Sequence, residues 1–199
     1  MSGRAAYSAV GERGTGLSQA LASLPVCEDE DGGLTTRMAV LRLATRRYCL
    51  PLRDGVEVLS PSWITPVPDA PRWFAGMLDR RTDVVPVVDL RKRLSLPSRP
   101  SGTFVPVVVA DWGADAVSVI ADEVIEVITM PSSWMRVPAD HIDERQAVCG
   151  MAYVDGAWAR VLDRGRLRRE CEAALSNVGP SRVREACLVL RLPEGAGVA

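Results

Sequence analysis

A single histidine, His141, and five cysteines, Cys27, Cys49, Cys149, Cys171 and Cys187, are the side chains best suited to nucleophilic or metal chemistry in this sequence. One histidine excludes a multi-histidine metal site, and any Ser-His-Asp or Cys-His arrangement would have to be built on His141. The cysteines are odd in number and form no CxxC pair, so neither a disulfide framework nor a zinc site is expected, and the thiols should be reduced and mostly buried. GxGxxG, GxxxxGK[ST] and GxSxG are absent, which leaves phosphate cradles and nucleophile elbows without support. Asp122, Glu123 and Glu126 could be arranged as acid and base. On a strand, however, Asp122 and Glu123 point to opposite faces, and a solvated strand face accounts for them better. A small enzyme using His141 and a cysteine is the one catalytic reading left open, and lone loop histidines are far more often solvated. No metal or cofactor is expected.

Charge points to protein partners instead. Basic and acidic residues nearly cancel, 24 against 25, and the calculated pI is about 5.9, which argues against nucleic acid or a membrane surface as partner. Arg160, Arg164, Arg166, Arg168 and Arg169 fall on a predicted C-terminal helix, where a solvated face explains them. Arg80, Arg81, Arg91, Lys92 and Arg93 flank one strand, and an arginine in a turn between hydrophobic strands can anchor a protein interface.

The elements that must position this second cluster lie between Gly76 and Leu94. Met77 and Leu78 run into a polar turn, Asp79 to Asp83, followed by Val84, Val85, Val87 and Val88 with Pro86 among them. Proline gives no N–H to a ladder, so this strand should lie at an edge or carry a bulge. Asp89 stands where an N-cap belongs, before a short helix with Leu90 and Leu94 four apart. An edge strand beside a basic turn can receive a partner.

Around this stretch the chain alternates with a period of two. Met38–Ala44, Tyr48–Leu52 and Val56–Leu59 predict a β-meander, with Ala39, Leu41 and Leu43 on one face and Arg42 on the other. Pro61, Pro66, Pro68 and Pro71 interrupt ladders until Asp69 and Pro71 start one helical turn closed by Gly76, with Trp63, Trp73 and Phe74 roofing the core. A second β unit follows: Thr103–Ala110, Ala116–Ile120 and a bent strand over Ala121–Ile128. Pro131 to Gln146 is a long loop, and Val148–Val154, Asp155-Gly156 and Ala157–Leu162 form a hairpin. Asp163 caps a helix with Leu167, Cys171 and Leu175 four apart, ended by Gly179-Pro180. Ala186 to Leu192 reads as one more strand. Short strands in two successive units signal small β-barrels or a sandwich.

These residues resemble a known signature. TPVPDAP over 65–71, Gly76, and MLDRRTDVVPVVDLR over 77–91 are similar to the Pro-x-x-Pro segment, glycine, Asn-Leu-Arg-Gly-like turn and Pro-Val-x-Asp-Leu-Arg strand end of CheW-like domains. Ala121-Asp122-Glu123-Val124 with Glu126-Val127 looks like the family's Val-Asp-x-Val-x-Glu-Val element. Gly150-Met151, Asp155-Gly156 and Val161-Leu162-Asp163 look like its closing hairpin and helix start. The resemblance implies a mainly β fold of two small five-stranded SH3-like β-barrels packed along a shared hydrophobic seam, with a few short helices. It places the CheW-like domain at 37–175, between a mobile arm at 1–36 and an extension at 176–199 with an added strand. In the arm, Leu17, Ala20, Leu21 and Leu24 are spaced for a short helix stopped by Pro25.

The function implied is a non-enzymatic coupling scaffold of a chemosensory array, linking the cytoplasmic tips of methyl-accepting chemoreceptors to the regulatory domain of a CheA-type histidine kinase. Alternatives are an adaptor for a type IV pilus or other non-flagellar pathway, or a competitor of the true coupler. The expected partner-binding residues are Asp79, Arg80, Arg81, Thr82, Val84, Val85, Val87, Asp89 and Arg91, with apolar energy from the valines and Arg81 fixing register. Asp79, Arg80 and Thr82 stand where the family has asparagine, leucine and glycine. A β-branched residue cannot replace glycine at φ > 0, which implies a differently shaped turn and a divergent partner set. The N-terminus lacks the apolar core of a signal peptide and no apolar run could span a bilayer, so a soluble, cytoplasmic protein is expected.

Overall fold

The computed structural model describes residue 24 and residues 27–28, 32–53, 55–59, 64–80, 83–99, 105–110, 116–136 and 147–190. The strands are β1 (Cys27–Glu28), β2 (Leu34–Leu43), β3 (Arg46–Leu52), β4 (Val56–Leu59), β5 (Ile64–Thr65), β6 (Phe74–Arg80) and β7 (Asp83–Asp89). After helix α1 (Leu90–Arg93) come β8 (Val107–Ala110), β9 (Val117–Ile120), β10 (Glu123–Pro131), β11 (Met135–Arg136), β12 (Val148–Val154) and β13 (Ala157–Leu162). Helices α2 (Arg164–Val178) and α3 (Pro180–Leu190) follow.

The strands form two curled sheets. The first has the order β1-β2-β3-β13-β12-β11 with β10 also paired to β2, and the second the order β4-β8-β9-β7-β6-β5. Setting aside the two-residue strands β1, β11 and β5, each sheet has five, as the resemblance implied. The chain starts in the first sheet, builds the whole second sheet from β4 to β9, and returns at β10.

Each curl holds a small core, and a third core is shared. Met38, Val40, Cys49, Cys149, Ala152 and Val161 fill the first curl, with Leu24 joining them. Leu78, Val85, Val87, Val107 and Val109 fill the second. Between the sheets lie Leu41, Leu43 and Leu50 from the first and Phe74, Met77, Val88, Val108 and Val119 from the second, with Leu167, Cys171 and Ala174 from α2. Strand alternation explains how β2 serves two cores: Ala39, Leu41 and Leu43 face the seam while Met38 and Val40 face the curl. Arg42 is exposed, as expected.

Several expectations are corrected. The meander stops at β3, because β4 crosses to the other sheet and pairs with β8 in register Val58↔Val108. The turn residues after Pro66 form no helix. Gly76 lies inside β6 at a register shift, at φ 141°, where an added Cβ would overlap the Thr65 carbonyl oxygen. β7 is interior, between β9 and β6; Pro86 is tolerated because the parallel ladder to β9 begins only at Val87. Residues 180–190 are helical, not the expected strand, since Pro180 suits a first helical turn and Val183, Ala186, Cys187 and Leu190 recur at helical spacing. The arm is partly built into the body, as Leu24 is buried, β1 pairs with Leu34 and Thr35, and Thr36 is fully buried in β2. The rest of the Leu17–Leu24 stripe lies outside the described residues. No helix among the described residues is long and apolar enough to cross a membrane.

Candidate functional site

The β6–β7 hairpin ends on the pair Arg80↔Asp83, so two residues, Arg81 and Thr82, separate the strands. Both lie outside the described residues, and so does His141. Asp79, opposite Val84, and Arg80 are half-buried just below the tip. The Arg80 Nε donates to Glu57 Oε2 of β4 at 2.6 Å, which ties one end of the second sheet to the other.

Period-two geometry then divides the valines. Val84 packs against the shared core and stays half-buried. Val85 and Val87 point the other way, into the interior of the second curl, at 3% and 0% exposure. The expectation that they form an apolar edge for a partner is therefore corrected: they are core residues that no partner can touch in the folded chain.

Asp89 and Arg91 are also drawn inward. The Asp89 carboxylate caps α1, accepting from the Arg91 and Lys92 backbone N–H groups at 3.0 and 3.3 Å. Arg99 Nη1 donates to both Asp89 oxygens, at 3.3 and 3.2 Å, and its Nε to Asp122 Oδ1 at 2.9 Å. Arg91 grips the same aspartate through Nε to Oδ1 at 2.8 Å and Nη2 to Oδ2 at 2.6 Å. Asp122 sits where the chain returns from β9 to β10. Its Oδ2 also accepts from the Ala44 N–H at 2.6 Å, and its own N–H donates to the Arg42 carbonyl at 3.0 Å. One carboxylate thus joins the α1 end of the second sheet to the β2–β3 turn of the first. Burial pushes the Asp122 carboxyl up, but the hydrogen bonds from Arg91, Ala44 and Arg99 outweigh it and hold it at about 2. The hydrogen bond to Asp122 in turn raises Arg91.

Asp122 and Glu123, two of the carboxylates considered as acid and base, are both tied to arginines. Asp122 is locked by two arginines, while Glu123 points outward to Arg42, its Oε2 accepting from Nε at 2.6 Å. A hydrogen bond to Asp155 raises the Glu126 carboxyl above its usual range. Burial pushes the thiols of Cys49, Cys149 and Cys171 up to about 12, which keeps them protonated and poorly nucleophilic. Among the described residues no group of three or more His, Cys, Asp or Glu could hold a metal ion.

The sequence reading missed an exposed aromatic pair. Tyr153 and Trp158 lie opposite each other on β12 and β13, with ring centroids 5.2 Å apart in an edge-to-face arrangement, and both are exposed. The signal was present: the Asp155-Gly156 turn fixes the register, and the inward-facing Ala152 and Ala159 send Tyr153 and Trp158 outward.

Comparison with known proteins meets this geometry. The family described as "CheW-like domain" matches residues 37–171. "Chemotaxis protein CheW" of Rhizobium meliloti (strain 1021) is 24% identical over 151 residues, 75% of this chain and 90% of that protein. "Protein FrzA" of Myxococcus xanthus is 30% identical over 97 residues, 49% of this chain and 61% of that protein. The crystal structure of the scaffolding protein TtCheW from Thermoanaerobacter tengcongensis superimposes with a TM-score of 0.55 at 27% identity, covering 64% of this chain and 88% of that one. With two interleaved curled sheets and a family match over most of its length, this chain belongs to the CheW-like domain family.

Proposed function

We propose that the protein is a non-enzymatic coupling scaffold that joins the cytoplasmic tips of chemoreceptors to the regulatory domain of a CheA-type histidine kinase. The observation that carries this reading is the family match over 37–171 together with the two-sheet fold. The similarity to proteins described as a chemotaxis protein and as a scaffolding protein supports a role without catalysis. In this reading the protein works in the cytoplasm, and its partner face is the β6–β7 tip: Asp79, Arg80, Arg81, Thr82 and the outward part of Val84. Asp89 and Arg91 keep that face in place by holding the two sheets together, not by touching a partner.

The test is titration of the purified chain against the kinase regulatory domain and a receptor-tip fragment, with Arg81→Glu beside it. Binding of both by the parent chain, weakened about ten-fold or more by the charge reversal, is the expected result. Binding of both unchanged by Arg81→Glu would move the face elsewhere, and binding of neither would end the coupling reading. The likeness to FrzA supports a second reading, an adaptor in a pathway other than the flagellar one. It predicts that the same titration succeeds with that pathway's kinase in place of a flagellar one.

A further inference from the structure

Ala152, Val154, Ala159 and Val161 point into the first curl. The alternate residues of β12 and β13 therefore share the outer face, paired across the strands as Met151↔Arg160 and Tyr153↔Trp158. Both flanking strands extend that face. Met135 of β11 packs on the curl, which turns Arg136, opposite Met151, outward. On β3, Tyr48 is the partner of Arg160, and Arg46, two residues earlier on the same side, is exposed one strand over from Trp158. The three arginines are uncompensated. Arg136 donates to the Ser133 and Met135 carbonyls at 2.6 and 3.2 Å, and Arg160 lies over the Tyr48 ring at 6.0 Å. Among the described residues none of the three pairs with a carboxylate, whereas Arg42, Arg80, Arg91, Arg93 and Arg99 each hold one.

We propose that the outer face of β12 and β13 docks an acidic segment of a partner protein, which sets an apolar side chain against Tyr153 and Trp158 and its carboxylates against Arg46, Arg136 and Arg160. The face has the composition of an interface centre, with tyrosine, tryptophan, methionine and arginine together. Its rings are 46% and 53% exposed and are held edge to face on a hairpin fixed by its turn, so they lose little freedom when covered. Three guanidinium groups without carboxylates supply the charge that selects an acidic occupant. A second copy seated about a two-fold axis would bring arginine against arginine. Arginines beside exposed rings also suit single-stranded nucleic acid, but the chain carries a net charge of −1 and repels a continuous polyanion beyond this patch. A short acidic segment meets the patch alone. This partner is additional to the two assigned to the β6–β7 tip, which belongs to the other sheet.

The experiment titrates the full chain, Trp158→Ala and the double variant Arg46→Glu with Arg160→Glu. The probes are a synthetic peptide with one leucine set among glutamates, the same peptide with lysines for the glutamates, and oligothymidylate. The glutamate peptide should bind saturably to the full chain, more weakly as salt is raised, and should shift the indole N–H signal of Trp158 in the nitrogen-15 spectrum. Its dissociation constant should rise about ten-fold in Trp158→Ala and by at least as much in the charge-reversed variant. Absence of saturable binding, equal affinity in all three chains, or equal binding of the lysine peptide would overturn the proposal. Tighter binding of oligothymidylate than of the glutamate peptide would overturn it in favour of a nucleic-acid face. If Trp158→Ala does not fold, the charge-reversed variant, altered only at side chains that hold no carboxylate, decides. Neither the kinase domain nor a receptor fragment enters this titration, so its outcome is independent of the coupling reading.

Discussion

At the scale of single residues, the signature aspartates and arginines of this chain do structural work. Asp122 is gripped by Arg91 and Arg99 at a site where its side chain is only 11% exposed. Asp122→Ala would strip Arg91 of its carboxylate and leave Arg99 with Asp89 alone, and should cost about 3 kcal/mol in urea unfolding. The pH dependence follows from the same contacts. A carboxyl at about 2 in the folded chain against an ordinary 3.8 contributes stability that is fully present above the ordinary value and is lost as pH falls through it toward 2. Glu170, which burial pushes up but Arg93 and Arg166 hold below its usual range, acts in the same direction. Melting temperature measured from pH 6 down to pH 2 should drop through that window, and Asp122→Asn should flatten the drop. An Asp122→Asn profile parallel to the parent's would show that the network is not the source. Val87 supplies the contrasting case. Val87→Ala opens space inside the second curl and should cost about 2 kcal/mol, with partner affinity unchanged once the protein is folded. Reduced affinity at full stability would return Val87 to the interface.

At the scale of elements, the placement of β5 depends on one glycine. Gly76 combines a φ of 141° with a backbone approach so close that a methyl group would overlap the Thr65 carbonyl. Gly76→Ala must release the Ile64–Thr65 pairing or distort the register shift in β6, at about 3 kcal/mol. Hydrogen exchange should then accelerate at β5 first; uniform acceleration would place the strain elsewhere. The ease with which each element could be read from sequence followed how local its cause was. The β12–β13 hairpin was legible because Asp155 and Gly156 adopt φ values of 46° and 76°, which few residue pairs favour as well. Asp89 was legible as a cap because its partners are two and three residues away. The destination of β4 was not, since Val56 and Val58 alternate equally well for either sheet and their partner strand lies some fifty residues on. Arg91 and Asp122 were visible as motif residues, yet their ion pair spans 31 positions, so the joint they make between the sheets was not legible. Ala186 to Leu192 reads as a strand because its apolar residues are nearly continuous, a pattern that periodicity does not separate from a helix segment. The proline start and helical spacing upstream carried the better signal.

At the scale of the whole molecule, the order in which the chain visits the sheets decides how it comes apart. The first sheet takes strands from both ends of the domain and the second sheet, contiguous from β4 to β9, is inserted between them, so the first is not a contiguous segment that could fold by itself. The shared core binds them further: Leu50 of β3, Val108 of β8 and Leu167 of α2 belong to one buried cluster, each at 0% exposure. Such a body should unfold in one cooperative step, with calorimetric and van't Hoff enthalpies equal. Leu50→Ala, which removes a fully buried side chain from the seam, should lower stability by about 3 kcal/mol. Its effect should reach both sheets alike, because opening the seam exposes β3 and β8 together. Amide exchange of β8 and β13 in Leu50→Ala is the decisive reading. Equal loss of protection in the two strands makes the pair of curls one unit, so that a partner seated on one curl is felt by the other. Loss confined to β13, or a second transition in the calorimeter, would mean that the curls are independently stable and the seam is a contact between two domains.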